Sequence, residues 1–279
     1  MQAQKKTTTL YVPAPATEVV PVLPRVSIIT VTFNSAEFLQ DCINSISAQN
    51  YPNIEYIIVD GKSTDQTMAI VRKNEARVDF WISETDKGMY DAINKGLAVA
   101  TGDIVGLLNS DDVLDNNNVI QTIVDSFEQQ GVDSIYGDLE FVDRNDVNKV
   151  MRIWKGQPFN RSRFRYGWMP AHPTFYIKRS LVEKYGAYEN HYFSAADYEF
   201  MSRYLYLNKV SAYYIPELLV RMRMGGQSNV NLKQRLRANR RDYLAMKKNK
   251  IPFAFFVSIL KPLIKVHQFV GKGFGARMF

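Results

Sequence analysis

The 279-residue chain carries a single cysteine, Cys42. That excludes an internal disulfide framework and a zinc site built from cysteines within one chain. It also makes a reducing compartment, the cytoplasm, the expected setting. No 18 apolar residues follow one another without a charge, so no transmembrane helix is expected. No secretory leader is visible. Residues 1–24 are polar, then rich in proline, threonine and valine, and predict a disordered lead-in. There is no internal repeat. No G-x-G-x-x-G follows the first apolar run, which argues against a nicotinamide-dependent oxidoreductase.

The remainder has the balance of a globular protein, 46% hydrophobic and 23% charged. The net charge of +7 averages two unlike parts. Residues 221–279 hold 14 Lys and Arg against one acid, Asp242, whereas residues 1–220 hold 21 basic against 27 acidic residues. An acidic body thus carries a basic tail, which suits an anionic partner such as a membrane surface. Nucleic acid is not expected, because the body is acidic and no recognition motif is present.

Short β-branched runs alternate with helical patterns through the first half of the chain. Val26–Thr32, Ile54–Asp60, Phe80–Ser83, Ile104–Leu108 and Ser134–Tyr136 read as buried strands. Helical periodicity covers about 37–49, 63–74, 90–100 and 119–130. This spacing predicts βαβ units and a mostly parallel sheet with helices on both faces. Right-handed crossovers then bring the strand C-termini to one edge, where open α/β sheets bind ligands. Beyond residue 140 the alternation weakens. A β-excursion is expected over 141–155, short strands over 174–177 and 210–215, and a helix over 197–207. The basic stretch 232–248 reads as helical.

Several polar residues fall at the expected edge. Asn109-Ser110-Asp111-Asp112 follows a buried strand, and its paired carboxylates suit Mg²⁺ or Mn²⁺ completed by a diphosphate, or else a turn. Asp60 ends the second strand, where it could meet a base or ribose, or serve as a turn acid before Gly61. Asp86, Lys87, Asp91 and Asn94 crowd a helix start, and Asp91 with Lys95 has the spacing of a surface ion pair. Gly137-Asp138 after Tyr136 suggests an acceptor contact or a simple turn. His172 is held between Pro170 and Pro173, and could touch metal or phosphate or be structural. Asp197 opens a helical pattern, as an N-cap or as a placed general base.

Taken together, VSIITVTFN, VDGKSTDQT, DKGMYDAINKGLAVATGDIVGLLNSDD, YGD, HPTFYIKR, AADYEF and MRMGGQS resemble the family 2 glycosyltransferases from Val26 to about Ser228. The resemblance implies a GT-A nucleotide-diphospho-sugar fold over 25–228; the charge and apolar pattern beyond it reads as a basic amphipathic helical tail over 229–279. It implies an inverting enzyme that moves a sugar, from a UDP-sugar by default, to an acceptor hydroxyl in cell-surface polysaccharide or glycolipid synthesis. A non-catalytic nucleotide-sugar-binding module is the alternative. Thr32, Phe33, Asn34, Asp60, Asp86, Lys87, Asn109 and Ser110 match donor-binding positions. Asp111 matches the metal-binding carboxylate, with Asp112 and His172 beside it. Asp197 matches the catalytic base, and Gly137, Asp138 and His172, from their own chemistry, are the acceptor-side candidates. The family's D-x-D begins here with the uncharged Asn109. No Q-x-x-R-W is present, which favours addition of single sugars over polymerisation. The tail, with Phe253, Phe255 and Phe256 among lysines, predicts peripheral contact with the cytoplasmic membrane face and suits a lipid-linked saccharide acceptor.

Overall fold

The structure, a computed structural model, describes residues 23–225 and 232–258, with side chains described from 238 onward in the second stretch. The lead-in before Leu23, the segment 226–231 and the tail beyond 258 lie outside the described residues. Among the described residues no helix is long and apolar enough to cross a membrane.

The parallel part of the sheet consists of β1 (Val26–Thr32), β2 (Ile54–Asp60), β3 (Phe80–Ser83) and β4 (Ile104–Leu107). Their spatial order is β3-β2-β1-β4. The strands are apolar on both faces because helices cover both. Val26, Ile28, Ile58 and Ile104 pack with α1 (Leu39–Ser47), α2 (Thr67–Lys73) and α4 (Val119–Gln130). Ile29, Ile57, Val59, Val105 and Leu107 pack on the opposite face with α3 (Met89–Val99) and α6 (Ala196–Met201). Successive side chains of one strand therefore enter different cores, as the two-residue period of a strand requires.

Beyond β4 the sheet changes direction. β8 (Tyr176–Lys178) lies antiparallel between β4 and β6 (Ser134–Val142). β9 (Ala212–Arg223) runs parallel to β6, and the two-residue β5 (Val113–Leu114) is antiparallel to β9. β7 (Val150–Trp154) pairs with β6 as a hairpin, the expected β-excursion. α5 (Arg179–Tyr185) follows β8.

Three expectations need correction. β6 runs nine residues and does not end at Tyr136, so Gly137-Asp138 is not a turn. The polar letters hid a strand whose Gly137 backs onto Leu219 of β9, 2.5 Å from where a Cβ would stand. β9 likewise continues to Arg223, eight residues past the expected end. The expected helix over 197–207 is α6 followed by a wider π turn over Ser202–Leu207.

α7 (Leu232–Lys248) and residues 249–258 pack against the α6 side of the body. Ala245 and Met246 are fully buried, and Ile251 and Val257 join the same core. Asn249 Nδ2 donates to the Glu199 carbonyl at 3.0 Å and to Ser202 Oγ at 2.7 Å.

β8 lies so close to β4 that Gly106 has no room for a side chain. A Cβ there would meet the ring of Tyr176, itself fully buried, at 2.1 Å. Gly106→Ala is expected to lower stability by about 1–3 kcal/mol, the usual cost of overpacking, read from urea unfolding. Wild-type stability would show that the β4–β8 spacing yields freely.

Candidate active site

The C-terminal ends of β1 to β4 share one edge of the sheet. Antiparallel β8 enters at that same edge, so residues 172–175 arrive where 108–111 leave. The edge thereby gathers Thr32, Asp60, Asn109 to Asp112 and His172. A separate cavity of about 380 Å³ lies at the other edge, against Ile104, Phe127, Lys178 and Arg179, away from these residues.

Loops after β1 and β2 form the first wall. Asn34 takes a left-handed φ of 50° and Lys62 one of 65°. The Asn34 N–H donates to Ser63 Oγ at 2.8 Å, and its Oδ1 accepts from the Thr64 N–H at 2.9 Å. Asp60 is fully buried, its carboxylate accepting from the Ser63 N–H and hydroxyl at 2.9 and 2.5 Å and from Ser83 Oγ at 2.6 Å. Asp60 therefore organises this wall from beneath. Phe33 is 58% exposed above it. Thr32 is buried, and its hydroxyl has no hydrogen-bond partner among the described residues. Half-buried Asp86 accepts the Gly88 N–H at 2.8 Å and lies over Gly61. Lys87 is exposed, with its N–H on Asp91 at 3.1 Å. Lys95 pairs with Glu84 at 2.8 Å and more distantly with Asp91, a surface role as expected.

The acid loop separates its two carboxylates. Asp112 is fully buried. It accepts from Asn109 Nδ2 at 2.8 Å and from the Arg223 N–H at 3.3 Å. Burial, reinforced by the charge of Asp111, holds its carboxyl well above the usual range. Asn109, where the family motif has an acid, thus braces Asp112. Asp111 is half-buried, and no hydrogen bond or ion pair engages its carboxylate among the described residues. Its carbonyl accepts from Arg223 Nη1 at 2.8 Å. The Ser110 hydroxyl donates to Ser35 at 2.9 Å, joining this loop to the first wall.

Arg223 was not singled out from the sequence beyond its place in MRMGGQS. It is 5% exposed, bonds Asp41 at 2.7 Å through Nη2 and stacks on Phe38 at 4.5 Å. The signal was weak because its partners lie 111, 112 and 182 positions away.

The second wall carries Asp197. Ala195, not Asp197, occupies the N-cap of α6, so the acid has no capping role there. Asp197 is half-buried and accepts the Tyr198 N–H at 2.7 Å. Beneath it, rings adjoin in sequence: Tyr90 stacks on Tyr188 at 5.5 Å, Tyr188 stacks on Phe200 at 4.1 Å, and Phe200 meets Tyr204 tilted at 4.3 Å. Burial and then the Asp197 charge push the Tyr90 and Tyr188 hydroxyls well above their ordinary pKa. His172 bonds the Tyr188 hydroxyl at 2.8 Å, and loss of water lowers its pKa against the opposing pull of Asp197. Asn94 ties α3 to this wall through both the N–H and the carbonyl of Tyr188, at 2.9 and 2.8 Å. His172, Tyr90, Tyr188 and Asp197 therefore form one neighbourhood. Asp138 lies within β6, its Oδ1 taken by the Gly156 N–H at 2.7 Å and the Tyr214 hydroxyl at 2.6 Å.

Among the described residues no cluster of three or more His, Cys, Asp or Glu side chains could enclose a metal. The donor set instead fits a divalent cation held by one unengaged carboxylate, Asp111, with phosphate oxygens from a substrate completing the shell.

The sequence profile described as Glycosyl transferase family 2 matches residues 27–186, more than half of the chain. An uncharacterised glycosyltransferase of Mycobacterium tuberculosis is 34% identical over 183 residues, 64% of this chain and 68% of that protein. A PGL/p-HBAD biosynthesis glycosyltransferase of Mycobacterium bovis is 30% identical over 184 residues, 64% of this chain and 69% of that one. Among solved structures, S. aureus TarS 1-349 in complex with UDP-GlcNAc aligns with a TM-score of 0.60 at 20% identity, over 85% of this chain and 66% of that one. The chain spans 39% of a longer TarS structure. The mannosyltransferase PcManGT of Pyrobaculum calidifontis, in complex with GDP-Man and Mn²⁺, aligns with a TM-score of 0.60 at 19% identity, over 90% of this chain and 71% of that one. These structures share the GT-A fold, and the sequence matches carry the family: the chain belongs to glycosyl transferase family 2 and is a sugar transferase.

Proposed function

We propose that the chain transfers a sugar from a nucleoside-diphosphate sugar, first of all a UDP-sugar, to an acceptor hydroxyl with inversion at the anomeric carbon. The observation that carries this reading is Asp111. Among the described residues nothing engages its carboxylate at the strand edge, and its backbone is held in place while its neighbour Asp112 is turned inward. The ligands in the TarS and PcManGT structures, UDP-GlcNAc and GDP-Man with Mn²⁺, support a nucleotide-sugar donor. The M. bovis relative's place in PGL/p-HBAD biosynthesis supports a cell-surface glycolipid or polysaccharide product.

In this reading Thr32, Phe33, Asn34, Asp86 and Lys87 line the nucleoside side, with the orphan Thr32 hydroxyl available to a ligand. Asp60 shapes their loops rather than exposing its own carboxylate. Asn109 and Ser110 set the turn beneath the diphosphate, and Asp111 holds the cation. Asp112 and His172 act as braces, since each is already engaged by neighbours. A bound Mn²⁺ or Mg²⁺ supplies neutralisation of the charge that grows on the leaving diphosphate. Asp197 takes the proton of the acceptor hydroxyl as its oxygen attacks the anomeric carbon opposite the departing oxygen. The Tyr90–Tyr188 stack restrains Asp197, and Gly137, Asp138 and His172 shape the acceptor side. Peripheral contact with a membrane is supported by Phe253, Phe255 and Phe256, which are 75%, 59% and 63% exposed beside Lys250.

Thermal shift with UDP-, GDP- and dTDP-sugars, with and without Mn²⁺, tests the reading. One nucleotide is expected to stabilise the protein in a cation-dependent way, and no shift with any of them would overturn it. Asp197→Asn is expected to lower kcat by about 10²–10⁴-fold while donor affinity holds. Unchanged turnover would remove Asp197 from the base role. In calorimetric titrations Asp111→Ala should abolish the Mn²⁺-dependent part of donor affinity, a result that an unaltered Mn²⁺ response would refute. Arg223→Lys, which keeps the charge but not the two-pronged grip, should weaken Mn²⁺-dependent donor binding by about tenfold, raising donor KM more than it lowers kcat. Equal losses in both would point to general destabilisation.

A further inference from the structure

The short segment before Asp197 contains a strained aromatic residue at the surface. Phe193 has φ 47° and ψ −120°, a conformation that side-chain-bearing residues rarely adopt. Tyr192 before it and Ala195 after it are buried, while Phe193 is 54% exposed. The strain therefore serves no core packing, and it directs an aromatic ring outward four residues ahead of Asp197. Strain of this kind gathers at ligand sites.

A cation from elsewhere in the chain completes the feature. The Arg241 guanidinium of α7 lies 4.2 Å from the centre of the Phe193 ring. It is half-buried, and among the described residues no carboxylate pairs with it. Lys248, two turns later on the same helix, is held by both Glu189 and Glu199. One basic residue of α7 is thus committed to structure, and another has no counter-charge among the described residues. Asn249 reaches Glu199 and Ser202 while Arg241 reaches Phe193, so α7 runs in the same direction as the 193–202 segment. Arg241, with exposed Arg240 beside it, accordingly lies towards the start of that segment, ahead of Asp197.

We propose that Phe193 and Arg241 form an acceptor subsite, in which a pyranose ring stacks on Phe193 and an adjoining phosphoester pairs with Arg241. An aromatic face suits the apolar C–H face of a sugar. A guanidinium matches phosphate oxygens in a two-pronged geometry that an ammonium cannot reproduce. The acceptor class is a glycosyl phosphoester, carried on a lipid or free. This inference rests on the transferase reading above and extends it to the acceptor.

The test uses the full chain and calorimetric titration with three probes in glucose and N-acetylglucosamine versions: the octyl glycoside, the 1-phosphate and the octyl phosphodiester. The phosphate-bearing probes should bind about tenfold more tightly than the octyl glycoside. Arg241→Gln should erase that difference, and Arg241→Lys should restore it only in part. Phe193→Ala should weaken all three probes, and Phe193→Tyr should retain them. Tighter binding of the octyl phosphodiester than of the 1-phosphate indicates a lipid-linked source, and equal binding a free one. Equal affinity for glycoside and phosphoester, or a difference that survives Arg241→Gln, overturns the proposal. So does Arg241-dependent binding of anionic phospholipid vesicles without phosphoester binding. UDP titration with Mn²⁺ in the same samples reads the donor site separately. Lost donor binding with intact phosphoester binding would sink the transferase mechanism, and the converse would sink the subsite alone.

Discussion

The two residues of β5 hold the site together. Their antiparallel pairing with β9 sets Val113 opposite Arg221 and so carries Arg223 onto the acid loop just ahead of β5. Arg223 then donates to the Asp111 carbonyl and the Asp112 carboxylate from one residue. Two adjacent acids would otherwise repel and compete for one position. Here Asp112 is buried, and burial raises its pKa, while the Asp111 side chain is left outward.

The second constraint is the reversal of β8. A fully parallel sheet would deliver the residues before β8 to the far edge, away from the strand C-termini. Because β8 runs against β4, the 170–175 segment arrives at the functional edge, bringing His172 to the foot of the Tyr188 ring. The ring stack from Tyr90 to Tyr204 links α3 to α6 across that edge. Stacked rings with few rotamers suit a wall that must hold one carboxylate at a constant position.

α7 adds a layer with an unusual division of labour. Its apolar side and Asn249 are buried against α6, and Lys248 satisfies the Glu189 and Glu199 carboxylates. Arg240 and Lys247 are exposed, and Arg241 lies over Phe193.

The parallel half of the fold, and the edge where its strands end, were legible in the sequence because they rest on local signals. Runs such as VSIITVT and IEYIIVD, the helical periods between them and the polar residues ending each strand specify βαβ units at short range. The order of the motifs was enough to give the family. What only the tertiary structure decided depends on contacts far apart along the chain. The length of β6 was hidden because Gly137 and Asp138 look like a turn until Leu219 and Tyr214 are placed beside them. The unequal fates of Asp111 and Asp112, the burial of Asp60 beneath its serines and the meeting of Arg241 with Phe193 follow from packing between distant segments. A run of residues specifies which groups are polar, but only the folded arrangement decides which of them find partners and which stay open to a ligand.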